Sequence, residues 1–149
     1  MTLSVQPVNI TLRVAADADG PALGRLYAAC DRAHPDVDWQ QPGIGQFWWL
    51  VACESGELAG GIRVLPLKPW GWIADVLVHP DAREGPAVGQ PSDVTSLLFT
   101  TAFACLIRAG ITEARGVVDA ERESWQRLLR RYGGTDLGPC RRFGRRLDV

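Results

Sequence analysis

The sequence is poor in lysine and carries almost no net charge. Lys68 is the one lysine among 16 basic residues, and the formal net charge is −1. A chain so nearly neutral has no general attraction for nucleic acid or for an anionic membrane. Ten of the fifteen arginines lie between Arg108 and Arg146. We expect this basic part, including the strand-like run 140–147, to face solvent or a partner protein, and we do not expect nucleic acid as a partner.

Several other features are missing, and each absence excludes a class of protein. The four cysteines show no CxxC-type spacing, which argues against a zinc site or a disulfide framework and predicts buried thiols. The first residues do not have the pattern of a secretory leader, and no apolar run approaches the roughly 18 residues of a membrane span. We therefore expect a cytoplasmic protein without a membrane segment.

Known catalytic sequence motifs are also absent. The chain has no Ser-His-Asp ordering, no HExxH zinc motif and no Walker-type phosphate loop. Its 149 residues correspond to one domain, so we predict a single domain over residues 1–149 with a flexible N-terminus at residues 1–8.

Alternating and β-branched residues predict the strands. Residues 9–14 alternate polar and apolar side chains, as a half-buried strand does. Phe47–Glu54 and Leu58–Leu65 are two strand-like runs separated by a short glycine-containing turn, which predicts an antiparallel hairpin. Trp72–Val78 is the next strand, and His79-Pro80 ends it. We expect the tryptophans of this region to lie in the core.

Apolar residues at helical spacing predict the helices between and after these strands. The first helix contains Leu23–Cys30, and the second contains Val94–Leu106, with Ser92 or Asp93 as cap and Gly110 as its end. A strand after that helix implies a parallel crossover. The predicted fold class is α/β (α+β), with a mixed, mostly antiparallel central sheet of about six to seven strands flanked by about four helices.

One stretch, residues 70–110, organises the others. It consists of a hydrophobic strand, a loop with glycines, and a long apolar helix. Such an arrangement directs backbone N–H groups and the positive end of a helix at one point, which suits a phosphate group.

Two segments carry a resemblance to a known family. Residues 77–85, Leu-Val-His-Pro-Asp-Ala-Arg-Glu-Gly, look like the V-x-P-x-x-R-G segment of the GNAT (N-acetyltransferase) superfamily, and residues 12–15 look like its opening. The order of elements from about Ile10 to Gly134 is also similar to that family. The resemblance implies an acetyl-CoA-dependent N-acyltransferase, in which an amine attacks the acyl group directly. It implies acetyl-CoA or another acyl-CoA as cosubstrate, no metal, a small-molecule or protein amine as acceptor, and a homodimer or a protein partner.

The family pattern also implies a set of cofactor-binding residues. In the family, the backbone of the fourth strand receives the pantetheine arm and the following loop wraps the pyrophosphate. Carried over to this sequence, these positions are Leu77, Val78, Arg83, Glu84, Gly85, Gly89 and Ser92. The loop is divergent, because Glu84 separates Arg83 from Gly85 and two prolines each remove a donor N–H.

The catalytic residues are harder to assign. Asp75 is our candidate for the base, and Tyr132 is our candidate for the acid that protonates the CoA thiolate; His79 and Glu54 are weaker candidates. The family's usual tyrosine position is taken by Leu129, three residues before Tyr132. This substitution, with the divergent loop, leaves open the alternative of a catalytically inactive GNAT-fold binding or assembly module.

Overall fold

Five strands form one sheet in the part of the chain that the structure describes. The structure is a computed structural model, and it describes residues 10–32, 47–53, 56–83, 93–117 and 123–138. The strands lie in the order in which they occur along the chain, and they are β1 (Ile10–Val14), β2 (Phe47–Cys53), β3 (Leu58–Pro66), β4 (Gly71–Val78) and β5 (Ala114–Gly116). The helices are α1 (Gly20–Ala29), α2 (Asp93–Arg108) and α3 (Glu123–Arg131).

The sheet is mixed, as predicted. Each of the strands β1, β2 and β3 pairs antiparallel with the strand that follows it in the sequence. β5 pairs parallel with β4 after the crossover through α2. The predicted hairpin is confirmed as β2 and β3. A parallel neighbour needs a long connection to return the chain to the same end of the sheet, and α2 provides it.

The predicted numbers of strands and helices are not matched. The described residues contain five strands and three α-helices, against the predicted six to seven strands and about four helices. The final strand predicted at residues 140–147 lies outside the described residues, as does the predicted flexible segment 1–8. Two short 3-10 turns, at residues 17–19 and 80–82, are present besides the three α-helices.

Contacts within the chain define two units. The first is Met1–Gly116, which holds the whole described sheet with α1 and α2, and the second is Val117–Val149, which holds α3. The single-domain boundary therefore stays a prediction. No described helix has both the length and the apolar character needed to cross a membrane.

Helix α1 packs one apolar face against the sheet. Leu23, Leu26 and Tyr27 are almost completely buried and contact Trp48 and Leu77 of the sheet. Full burial of a side chain of this size contributes roughly 1.5–3 kcal/mol. The tryptophan prediction is confirmed for Trp48. It is wrong for Trp70, which is 36% exposed. The Arg115 guanidinium covers the Trp70 ring, with its central carbon 3.8 Å from the ring centroid.

Helix α2 approaches β3 closely at Gly60. A Cβ on Gly60 would lie 2.9 Å from the carbonyl oxygen of Leu77 and 2.9 Å from a methyl group of Val94, with Leu98 at 3.0 Å. Only a residue without a side chain fits here, because one of the neighbours is fixed backbone. The glycine therefore sets the distance at which α2 packs against the sheet at β3.

The helices α1 and α2 end in the same hydrogen-bonding motif. After α2, Gly110 has a φ of 78°, and Ile111 N–H donates to Leu106 O at 3.0 Å, so Gly110 ends the helix as predicted. After α1, Asp31 has a φ of 55°, and Arg32 N–H donates to Tyr27 O at 3.0 Å. The left-handed residue reverses the chain at each helix end, and at α1 it directs Arg32 back toward the sheet.

An ion pair fixes the connection between β1 and α1. Arg13 donates from both terminal nitrogens to Asp19, at 2.6 and 2.7 Å, and the N–H of Ala16 donates to the same carboxylate at 2.7 Å. The Arg13 guanidinium, with the Ala16 N–H, holds the pKa of the buried Asp19 carboxyl below its usual range.

Substituting Gly60 tests the close approach of α2. We expect Gly60→Ala to lower the free energy of unfolding by about 1–3 kcal/mol, since the new methyl group meets backbone that cannot move aside. Urea unfolding measures the change. Thr100→Ala, at an exposed position of α2, is the control and should stay within about 0.5 kcal/mol of wild type. Equal stability of the two variants would contradict the packing.

The Arg13–Asp19 pair predicts a pH dependence of stability. Because the pKa of Asp19 is lower in the folded than in the unfolded chain, its contribution is complete above about pH 4–5 and is lost as the pH falls. Asp19→Asn should therefore flatten the acid side of a plot of stability against pH. Chemical unfolding between about pH 5 and 2.5 measures this. Asp17→Asn, at an exposed position, should keep the wild-type slope.

Candidate functional site

Strand β4 is paired along its whole length on one side only. β3 pairs with β4 from Gly71 to Val78, whereas β5 reaches only Gly71, Trp72 and Ile73. Beyond Ile73, the side of β4 that faces away from β3 has no neighbouring strand in the described part of the chain. The second half of β4 therefore has one side that is unpaired among the described residues, and we call this unpaired side the β4 cleft.

A β-bulge lies where the strands separate. Arg63 is opposite Asp75 while Val64 is opposite Ile73, so Ala74 is an extra residue without a partner in β3. A bulge interrupts the ladder and increases the local twist of the strand. It thereby turns the second half of β4 away from β5.

Backbone groups of β4 face the open side. His79 N–H donates to Ala59 O of β3 at 2.8 Å. Because N–H and C=O groups alternate in direction along an antiparallel strand, the corresponding groups of Val76 and Val78 face away from β3. Neither of these N–H groups has an acceptor among the described residues. They are two parallel donors on the open side of the strand.

The carbonyls on this side are already bonded to side chains. Val78 O accepts from Arg83 Nε at 2.9 Å and from Cys30 Sγ at 3.3 Å. Val76 O accepts from Arg32 Nη1 at 3.3 Å. The open side therefore presents free donors, while its acceptors are satisfied by residues from the end of α1 and from the turn after β4.

Asp75 is buried between two arginines. Its Oδ1 accepts from Arg32 Nη2 at 2.9 Å, and its Oδ2 lies 2.7 Å from Arg63 Nη2. The Asp75 side chain is 9% exposed, against 32% for Arg32 and 19% for Arg63. Among the described residues, Asp75 is the one carboxylate that pairs with either guanidinium.

Aromatic residues enclose this charged group. The Arg63 guanidinium lies 5.9 Å from the ring centroid of Trp48, and Tyr27 meets the same ring edge-on at 6.1 Å between centroids. Burial, followed by the charge of the nearby Asp75, raises the pKa of the Tyr27 hydroxyl well above its usual range. Tyr27 is therefore neutral at physiological pH and adds no charge to the group.

The predicted base, Asp75, is thus in the site but strongly engaged. It lies on β4 beside the open part of the strand, and both of its oxygens contact guanidinium groups. Its role as the base stays a prediction. The weaker candidate His79 accepts a hydrogen bond from Asp81 N–H at 3.2 Å, through Nδ1. Glu54 lies outside the described residues.

The predicted cofactor-binding residues fall into two groups. Leu77 and Val78 are on β4 with fully buried side chains, and Arg83 follows it with its side chain turned back to Val78 O. Glu84, Gly85, Gly89 and Ser92 lie outside the described residues.

Tyr132, the predicted acid, belongs to the second unit. It is half-buried and follows the last residue of α3, with its N–H donating to Leu128 O at 3.2 Å. Its role stays a prediction. Among the described residues, no group of three His, Cys, Asp or Glu side chains has the arrangement of a metal site.

Sequence analysis did not identify Arg32 or Arg63 as site residues. Arg63 could have been identified, because a charged residue at a core-facing position of a predicted strand indicates a buried partner of opposite charge. Arg32 carried none, since its placement depends on the left-handed turn at Asp31, a residue type that does not demand this conformation.

Searches of family models and of curated proteins found no match to the sequence. Solved structures do match. The aminoglycoside N-acetyltransferase AAC(6')-Iy, in complex with CoA, is 13% identical and has a TM-score of 0.78, with 97% of this chain and 100% of that chain covered. An aminoglycoside acetyltransferase from an uncultured soil metagenomic sample, in complex with trehalose, is 17% identical and has a TM-score of 0.70, with 93% and 97% covered.

A third similar structure is an acetyltransferase of Trypanosoma brucei. It is 16% identical and has a TM-score of 0.63, with 95% of this chain and 100% of that chain covered. The chain has the GNAT fold. The fold resemblance inferred from residues 77–85 is thereby confirmed.

Removing the Asp75 charge tests the buried group. We expect Asp75→Asn to lower the free energy of unfolding by about 1–3 kcal/mol, because two partly buried guanidinium groups lose their carboxylate. The estimate lies below that for fully buried pairs because both arginines retain contact with water. Urea unfolding measures the change. Asp81→Asn, at a position whose side chain is 93% exposed, is the control, and an equal effect of both substitutions would contradict the assignment.

Proposed function

We propose that this protein is an acyl-CoA-dependent N-acyltransferase in which an amine attacks the thioester directly. The observation that carries the proposal is the unpaired side of β4, where the N–H groups of Val76 and Val78 have no neighbouring strand among the described residues. An extended pantetheine arm carries amide carbonyls, and it can pair with such a strand as another strand would. The similar AAC(6')-Iy structure, which contains CoA, supports this choice of cosubstrate.

The chemistry requires positioning, a donor for the thioester oxygen, and removal of one proton. The amine nitrogen forms a bond to the acyl carbon, the carbon–sulfur bond breaks, and CoA leaves as a thiolate. The unpaired N–H groups of Val76 and Val78 suit the negative charge that develops on the acyl oxygen. The proton that the amine loses passes to a base and finally to the thiolate. Holding the two reactants together accounts for much of the expected rate increase.

For Asp75 we favour a positioning role over that of the base. Oδ1 accepts a hydrogen bond from Arg32, and Oδ2 is buried within 2.7 Å of Arg63 Nη2 without a hydrogen bond, so a proton on either oxygen would weaken an ion pair. In the positioning role, Asp75 holds Arg32 and Arg63 at the cleft, and water carries the proton away. A thiol with a pKa near 8.5 leaves as thiolate at neutral pH without much help, so the proposed reaction does not require an acid such as the predicted Tyr132.

A catalytically inactive binding module is the second candidate. The observation that favours it is the side-chain bonding of Val76 O and Val78 O, which leaves only donors on the open side of β4. A pantetheine arm that bonds through both its donors and its acceptors would have to displace Arg32 or Arg83.

Titration calorimetry with acetyl-CoA tests the cosubstrate. Val76→Pro removes the N–H that faces the cleft without removing a hydrogen bond to β3, and Val76→Ala keeps the N–H while shortening the side chain. We expect wild type and Val76→Ala to bind acetyl-CoA and Val76→Pro to bind at least about tenfold more weakly, which is about 1.4 kcal/mol for one lost hydrogen bond. Thermal melting checks that all three proteins are folded.

Two results would count against the proposal. No binding of acetyl-CoA by wild type at millimolar concentration overturns the choice of cosubstrate. Binding without release of free CoA thiol, in the presence of a broad set of amines, supports the inactive module instead. Equal affinity of the proline and alanine variants would contradict the role of the Val76 N–H.

A further inference from the structure

We propose that Arg32 and Arg63 form an anion-binding site beside the β4 cleft, and that this site takes the carboxylate of the acceptor amine. The acceptor would then be an amine that also carries a carboxylate, such as an amino acid or the C-terminal end of a peptide. The assignment to an acceptor rests on the proposed function; the anion site itself does not.

The position of Arg32 is the first step. Its Nη1 bonds to Val76 O, and that carbonyl faces away from β3 into the cleft. Its Nη2 bonds to Asp75, so the two contacts fix the plane of the guanidinium across the side of β4. With 32% of the side chain exposed, the group is held in place and still open to a ligand.

The charge of the group is the second step. Two guanidinium groups face one carboxylate, and Tyr27 is neutral, which leaves one positive charge in excess among the described residues. The buried part of the site lies against Trp48 and Tyr27 and is therefore poorly hydrated. An uncompensated charge is costly in such surroundings, and an incoming anion would balance it.

The number of donors is the third step. A guanidinium has five N–H groups, and Arg32 uses two of its nitrogens in the contacts described above. The Nε of Arg63 is buried and has no hydrogen-bond acceptor among the described residues. Accessible donors therefore remain on Arg32, while the buried Arg63 Nε is an unsatisfied donor that adds to the positive character of the site; a planar guanidinium matches the two oxygens of a carboxylate.

The Arg13–Asp19 pair shows what a purely structural pair looks like in the same molecule. There one guanidinium meets one carboxylate through two parallel bonds, and the charges balance. The arginines at Asp75 share a single carboxylate between them. This difference separates a ligand site from a structural ion pair.

The site also makes a distinction among acceptors. Aminoglycosides carry several ammonium groups, and a second cation close to Arg32 would be repelled, more strongly where water is excluded. An acceptor with a carboxylate would be attracted instead. We therefore expect this protein to differ in acceptor from the aminoglycoside acetyltransferases that share its fold.

NMR of the arginine side chains tests the anion site directly. The Nε–H signals of the wild-type protein are followed during titration with sodium acetate, with sodium chloride at equal ionic strength as the reference. The spectrum of Arg32→Lys assigns the Arg32 signal. We expect a saturable shift of the Arg32 and Arg63 signals with acetate and none with chloride, while the Arg13 signal stays in place. In Arg32→Gln, the Arg63 response should weaken at least about tenfold in affinity.

Opposite results overturn the site. Equal shifts with acetate and chloride, a linear shift without saturation, or an equal movement of the Arg13 signal would each show that Arg32 is only a structural residue. This titration needs no acetyl-CoA, so its failure is distinct from a failure of the proposed function. Saturable acetate binding in a protein that does not bind acetyl-CoA would keep the anion site and overturn its assignment to an acceptor.

Acceptor kinetics test the second half of the proposal. Free amino acids are compared with their carboxamides, which keep the amine and lose the negative charge. We expect Arg32→Gln to raise KM for the amino acid at least about tenfold more than it raises KM for the carboxamide. A preference of wild type for carboxamides or for aminoglycosides would overturn the proposal, as would an equal effect of the substitution on both acceptors.

Discussion

The unequal pairing of β4 is the constraint on which the site depends. A strand that has a neighbour on one side for its whole length, and on the other side for three residues only, must satisfy the remaining backbone groups in another way. The carbonyls of Val76 and Val78 do so with side chains, from Arg32 and from Arg83 and Cys30. The end of α1 is therefore bonded to the same carbonyl groups of β4 that β5 leaves without a partner strand.

Much of the fold could be predicted because it follows from local patterns. The hairpin of β2 and β3, the crossover through α2 and the end of that helix at Gly110 each depend on a run of residues that is contiguous in sequence. Asp75 was singled out for a different reason, because it occupies a position where the resembled family often has a carboxylate or histidine, and its role stays a prediction. Trp70 was misplaced because its burial depends on neighbours that the local pattern does not contain.

The surroundings of Asp75 could not be predicted, and the reason is geometric. Arg32 and Asp75 are 43 positions apart, and they meet only because Asp31 adopts a left-handed conformation after α1. Arg63 meets Asp75 only in the register that the bulge at Ala74 produces. An Asp residue read alone suggests a proton acceptor, whereas the same residue between two guanidinium groups suggests a support for them.

The two halves of the proposed reaction depend on different parts of the chain. The cosubstrate would meet main-chain donors of β4, which every sequence with this fold and bulge provides, and the fold persists at 13–17% identity to the structures described above. The acceptor would meet side chains, Arg32 and Arg63, whose charge is set by single codons. The fold alone therefore does not indicate the acceptor, and our proposal for the acceptor rests on the charge balance around Asp75.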